Sequence, residues 1–264
     1  MKKKYFPQTF LQSLILIFLS ILLTTPLLFI NRLKIVSEYT FTHIFFIFFV
    51  FFVFLIFYLK NRKTKKFILF NFKVHKTIFL FILFLITFQL SINLPINFLL
   101  NSQINGNSVN VIKTITTTLP FVFISAFFEE LIFRGIILRG YLFKYSPKKA
   151  ILISSLFFSV IHFNLAQSLG ALFFSFFVSY IYYYSRSVGM AILLHLTNNV
   201  IALFGVYLLN SYGNFKINYV NDFYGKNSFL IIILSLIILF SLIFFFFKNK
   251  TKIINNLKHV NDSK

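Results

Sequence analysis

Long apolar runs separated by short polar, mostly basic loops set the pattern of this chain. A helix that crosses the hydrocarbon core of a bilayer needs roughly 20 apolar residues. Eight stretches reach or approach that length: 10–30, 41–59, 77–100, 111–138, 149–166, 168–184, 188–209 and 228–247. The third is interrupted by Asn93, Pro95 and Asn97, so its end is expected to bend or leave the membrane. The fifth and sixth are short and follow each other closely. The pattern predicts an all-α fold, a polytopic membrane helical bundle of about eight transmembrane helices, because backbone polar groups in lipid must be satisfied internally. No internal repeat and no separate soluble domain stand out.

Composition agrees with that pattern. Of 264 residues, 58% are hydrophobic and 12% charged, against roughly 45–50% and 25% in soluble domains. There is no cysteine, which excludes disulfides, thiolate metal ligands and a cysteine nucleophile. The abundance of Phe, Ile, Asn and Lys fits an AT-rich bacterial genome. The run 10–30 follows three lysines but exceeds the roughly 7–15 residues of a cleavable signal core, and it reads as a retained first span.

The net charge of +21 would suit a nucleic-acid partner, but its placement does not. Lys and Arg lie in the short loops, and the aromatic residues lie in lipid-length runs rather than among basic ones as a stacking platform requires. No nucleic acid is expected as a partner; the lipid bilayer is. With the N-terminus inside and eight alternating spans, twenty basic residues fall on the inner side and five on the outer, with Arg134 within a span. That asymmetry fits a plasma-membrane protein with both termini cytoplasmic. The basic loop 60–76 is chiefly a topology signal, with anionic headgroup binding as the alternative. In the sixth span, Ala171, Ser175 and Ser179 form a small-residue stripe suited to close helix packing.

Acidic residues are the informative exception. Only Glu38, Glu129, Glu130, Asp222 and Asp262 occur, and the adjacent pair sits in the fourth apolar run within Phe127-Phe128-Glu129-Glu130-Leu131-Ile132-Phe133-Arg134. Each charge at the centre of a membrane helix costs about 2.5–3.5 kcal/mol on insertion scales, so an intramembrane ionisable cluster points to function. In an α-helix Glu130 and Arg134 are i and i+4 and meet on one face, while Glu129 lies about 100° away. The spacing leaves Glu129 as the carboxylate available to act as a general base on water.

Two further motifs lie on other spans. Phe158 to His162 closes the fifth, and His195-Leu196-Thr197-Asn198-Asn199 lies in the seventh. His195 and Asn199 share a helix face and can both offer N–H groups to a developing oxyanion. Alternatively, His162, His195 and Glu129 supply the ligand types of a catalytic divalent metal such as zinc. Each histidine alone reads more readily as a packing residue, and it is the coincidence across three spans that favours a site. His43, His75 and His259 are read as structural. With alternating spans, Glu129 and His195 lie roughly 10 Å deep and His162 nearer 20 Å, so the fifth helix must tilt or start later for the three to meet.

EExxxR, FxxxH and HxxxN, in this order on separate membrane helices, resemble the CAAX-protease and bacteriocin-processing (Abi, CPBP) family. The resemblance spans about 115–210 and divides the chain into N-terminal spans over 1–110, a protease-like core over 111–210, and a last span with a basic cytoplasmic tail over 211–264. It implies a helical intramembrane endopeptidase, whose eukaryotic members remove the last three residues of prenylated CAAX proteins. Carried over by motif, Glu129 and His162 would activate the attacking water, His195 and Asn199 would stabilise the oxyanion, and Glu130 and Arg134 would orient the site. A characterised archaeal member works through glutamate without a catalytic metal, so the preferred reading requires no cofactor. HExxH is absent, and a zincin-type site is not supported.

The resulting expectation is a membrane endopeptidase acting on a peptide or protein substrate such as a bacteriocin, leader or pheromone-type peptide. A non-enzymatic bacteriocin-immunity protein on the same scaffold is the alternative, and a proton-coupled transporter is a third reading that the missing repeat disfavours. The sequence carries no signal of oligomeric state.

Overall fold

The computed structural model describes residues 5–34, 36–64, 71–96, 111–162, 165–211 and 225–262, except for the side chains of 30, 111–118, 166, 204–211 and 258–262. Asn97, Lys65 and Lys66, and the side chain of His259, are outside that description. Among the described residues the chain is helical throughout, without strands. The helices are α1 (Phe10–Thr24), α2 (Leu27–Arg32), α3 (Glu38–Asn61) and α4 (Ile78–Phe88), the last continuing as a π-turn over Gln89–Asn93. Helix α5 runs Val111–Glu130 and continues as a π-helix over Leu131–Leu138 to Arg139–Tyr141. Then come α6 (Pro147–Val160), α7 (Leu165–Ser185), α8 (Val188–Ser211), α9 (Ser228–Lys248) and α10 (Lys250–Asp262).

A helix lies at each of the eight predicted spans. Glu38–Asn61, Ile78–Ile96 and Gly225–Lys248 are long and apolar enough to cross a membrane, and Phe10–Thr24 and Val188–Leu203 are shorter apolar helices. Large apolar side chains face outward along them, including Phe79, Phe229 and Phe247, each more than 70% exposed. Such a surface is stable only against lipid or another apolar partner. The chain is a helical membrane protein. Two boundaries differ from expectation. The fifth helix ends at Val160 rather than 166, and the basic tail is itself the helix α10.

The chain divides into two compact units. The first comprises residues up to Phe70 together with Leu131–Ser154. In it α1 packs on α3. Ser13, Leu16, Ser20 and Thr24 form the buried stripe of α1, and Val50, Val53, Phe57 and Asn61 that of α3. Small residues let the two backbones approach, and in lipid this packing replaces hydrophobic burial as the driving force. The Ser20 and Thr24 hydroxyls return to the carbonyls of Leu16 and Ser20, so both have a partner within their own helix. Asn61 ties down the start of the chain by accepting from Phe6 N–H at 3.0 Å and donating to Phe6 O at 2.8 Å. Every residue of the π-segment Leu131–Leu138 is buried, Arg134 included.

The second unit holds Asn71–Glu130 and Ser155–Lys264. Helix α8 is its hub and packs on α5, α4 and α7, while α9 packs on α4 and α10 on α7. The stripe foreseen on α7 is used for packing, with Ser175 and Ser179 fully buried. The start of α8 is pinned by the segment after Phe70. Gly189 N–H donates to Asn71 O at 3.1 Å, the Ser187 hydroxyl bonds the carbonyls of Asn71 and Lys73, and Met190 N–H donates to Ser187 Oγ at 3.1 Å. Any Cβ on Gly189 would overlap the backbone of Phe72. These bonds satisfy donors and fix where α8 begins, and hence the depth of His195 two turns later.

Candidate functional site

The site in the second unit is built where α5 meets α8. Glu130 is the last residue of the α-helical part of α5, and its carboxylate is fully buried. Its Oε1 accepts a hydrogen bond from His195 Nδ1–H at 2.8 Å. A buried ionisable group is tolerated only when paired, and this contact supplies a charge-assisted partner. The adjacent Glu129 approaches the other ring nitrogen, with Oε2 3.9 Å from His195 Nε2. Glu129 keeps 26% of its side chain exposed against none for Glu130. One histidine thus faces two neighbouring carboxylates, one fully buried and one partly exposed.

Because Nδ1 is committed to Glu130, Nε2 is the nitrogen turned toward Glu129 and the open side. The gap of 3.9 Å is too long for a direct hydrogen bond and leaves room for a bridging oxygen. Aromatic rings fix the imidazole. Phe174 of α7 meets it at 5.0 Å between centroids and Phe158 of α6 at 5.9 Å.

Sequence spacing pairs Glu130 with Arg134. The structure gives Glu130 a partner that no local spacing can reveal, His195, which is 65 residues on. The backbone is π-helical from Leu131 to Leu138. Arg134 lies in the first unit, fully buried.

His162 is predicted by the sequence pattern to lie beside Glu129, late in the fifth span. It lies in the turn that follows α6, and its Nδ1–H donates to Phe158 O at 2.8 Å, satisfying one of the last carbonyls of the helix. Its ring packs on Phe158 at 4.9 Å, so Phe158 lies against both histidines. The turn is held by Ser159, whose hydroxyl donates to Ser168 O at 2.7 Å. Asn199, one turn beyond His195 on α8, is half-buried. His43 and His75 make local bonds, to Tyr39 O and to Thr77, in keeping with their structural reading.

Three polar residues went unassigned from sequence. Gln89, buried in the π-turn of α4, donates from Nε2 to Asn198 Oδ1 at 2.6 Å. Asn93 donates from Nδ2 to Gln89 Oε1 at 2.8 Å. A chain Asn93–Gln89–Asn198 therefore braces the helix that carries His195 and Asn199. The signal was present as the polar interruption of the third span, since an amide in lipid demands a partner. Gly170 makes room for it, because a Cβ there would overlap Asn93 Oδ1.

The zinc alternative requires His162, His195 and Glu129 around one ion. Among the described residues no group of three His, Cys, Asp or Glu side chains is placed to hold a metal. Nδ1 of His195 serves Glu130 and Nδ1 of His162 serves Phe158 O, so in each ring Nε2 is the nitrogen turned to any further partner.

Residues 111–201 match the family model described as type II CAAX prenyl endopeptidase Rce1-like. The matched segment contains Glu129, Glu130, Arg134, His162, His195 and Asn199. It is less than half of the chain, and it is similar to a membrane endopeptidase domain. Neither a curated protein nor a solved structure matches the chain.

Proposed function

We propose that the chain is an intramembrane endopeptidase that hydrolyses a peptide bond with a water molecule activated at Glu129. The observation that supports this most is the bracketing of His195, with Nδ1 2.8 Å from Glu130 and Nε2 3.9 Å from Glu129. Glu129 is the more exposed carboxylate and the one a water can reach. It takes a proton as the water oxygen adds to the substrate carbonyl carbon. His195 Nε2–H and the Asn199 amide donate to the resulting oxyanion, the kind of interaction that typically contributes about 2.7–4 kcal/mol per donor. Glu130 holds Nδ1–H and stabilises the cationic ring that an Nε2–H donor requires. The proton then passes from Glu129 to the amide nitrogen, the C–N bond breaks, and a carboxylate and an amine leave. The family motif assigns Arg134 to orientation of the site and His162 to the water, for which its Nε2 remains available.

In this reading the substrate is a membrane-associated peptide such as a bacteriocin, leader or pheromone-type peptide. The protein sits in the plasma membrane of a bacterium with both termini in the cytoplasm, as the basic loops favour. The test is cleavage of a peptide pool by the purified, reconstituted protein, read by mass spectrometry with and without chelator. Wild type should cleave and Glu129→Gln should not, with chelator making no difference. Loss of cleavage to chelator with recovery on added zinc would replace the glutamate mechanism by a metal one. A folded wild type that cleaves nothing would leave a binding or immunity role.

A further inference from the structure

The second unit carries a half-open cavity of about 500 Å³ between α4, α7, α9 and α10, within the range of pockets that hold a sizeable ligand. Its walls are aromatic and aliphatic. Phe84 stacks on Phe177 at 4.2 Å, and Phe246 meets Phe81 and Phe84 at 5.6 and 6.1 Å. Apart from Tyr180, Tyr184 and Lys250, the described lining residues are Phe, Leu and Ile. The cavity extends along α4 and its π-turn from Phe81 to Ile92, roughly 16 Å at about 1.5 Å per residue. A narrow, long, apolar space suits a single hydrocarbon chain.

The two ends differ. Phe88 meets Phe173 at 6.3 Å at the inner end, next to Phe174, whose ring also contacts His195. At the outer end the cavity is closed by α10, which turns Ile253, Ile254 and Leu257 inward. Lys250 is the one charged residue among its described lining, and Lys248 and Lys252 lie beside it in sequence. No acidic residue occurs between Lys248 and Leu257 to neutralise them. A basic amphipathic helix over an apolar opening is the arrangement of an interfacial helix drawn to anionic headgroups.

We propose that this cavity binds one acyl chain of an anionic phospholipid, with the lipid phosphate at Lys250 and with Lys248 and Lys252 adding to the positive potential there. Charge complementarity at the mouth selects the headgroup and the phenylalanine-lined space takes the chain. The far end of the chain rests against Phe174, so the lipid supports the packing behind His195 without taking part in any chemistry. Lipid binding at this cavity does not depend on the hydrolytic reading.

The test uses the full-length protein, stripped of lipid in detergent and offered equimolar phosphatidylglycerol and phosphatidylcholine of identical chains, with native mass spectrometry as the readout. Wild type should retain one phosphatidylglycerol in preference by at least about fivefold, the contribution of a single lysine near a headgroup. The triple variant Lys248→Gln, Lys250→Gln, Lys252→Gln should lose the preference but keep a lipid, and Ile243→Trp, which fills the cavity, should retain neither. Phosphatidylglycerol with a photoreactive group at the chain end should label wild type near Phe173 and Phe174. Equal retention of the two lipids, or labelling confined to the outward Phe240 and Phe244 of α9, would overturn the proposal.

Discussion

Glu130 Oε1 accepts the Nδ1–H of His195 at 2.8 Å, and both residues are buried, Glu130 fully. Removing one member of a buried, charge-assisted pair strands the other, at about 1–3 kcal/mol or more. Glu130→Ala is therefore expected to lower the melting temperature in detergent as well as activity. Glu130→Gln retains an acceptor but not the charge, and should keep most of the stability while losing at least about a hundredfold in turnover. Equal stability losses in both variants would argue against a charge-specific role.

Glu129 is the complementary case. Its side chain is about a quarter exposed, whereas that of Glu130 is fully buried. Glu129→Gln should leave thermal unfolding unchanged and reduce cleavage by about 10²–10⁴-fold, the usual size of a general-base contribution. A thermal scan alongside a cleavage assay separates the two glutamates.

The Asn93–Gln89–Asn198 chain should behave as one energetic unit. Gln89→Ala removes one hydrogen-bond partner from each of the half-buried amides of Asn93 and Asn198 and should cost about 1–3 kcal/mol. Gly170→Ala attacks the same chain from α7 by displacing Asn93. Because both act on one network, the double variant should be less destabilised than the sum of the singles. Additive losses in chemical denaturation would show that the chain is not a unit.

Gly189→Ala should destabilise the protein by about 1–3 kcal/mol through overpacking, since its Cβ would meet backbone that cannot rotate away. Hydrogen exchange should place the effect at the start of α8, near Ser187 and Met190. Protection there equal to that of wild type would contradict an anchoring role for the Asn71–Lys73 segment.

What the sequence made legible follows from range. Apolar run length is local, and it located a helix at each of the eight spans because lipid forces the backbone into helices. The end of α6 was misjudged, since apolar residues continue past Val160 while the His162 ring ends the helix by bonding Phe158 O. The candidate site was visible as scarcity, two of five acids inside an apolar run. Partner choice was not legible. Helical spacing could offer Glu130 only Arg134, whereas the bond to His195 depends on how α5 and α8 pack. Gln89 was passed over because one amide in a span looks like an interruption until its partner, 109 residues away, is known. The α10 helix read as a tail, although Ile253, Ile254 and Leu257 among Lys and Asn already carried an apolar stripe.

The central claim is that Glu129 and His195 act on one substrate carbonyl. A double-mutant cycle on turnover tests it most directly, with wild type, Glu129→Gln, His195→Ala and the double variant compared in the same proteoliposomes. Residues that serve one transition state are non-additive, so the double variant should be no slower than the worse single variant, within about threefold. Losses that multiply would mean that the two side chains, 3.9 Å apart, contribute separately, and would contradict a mechanism in which they share one carbonyl.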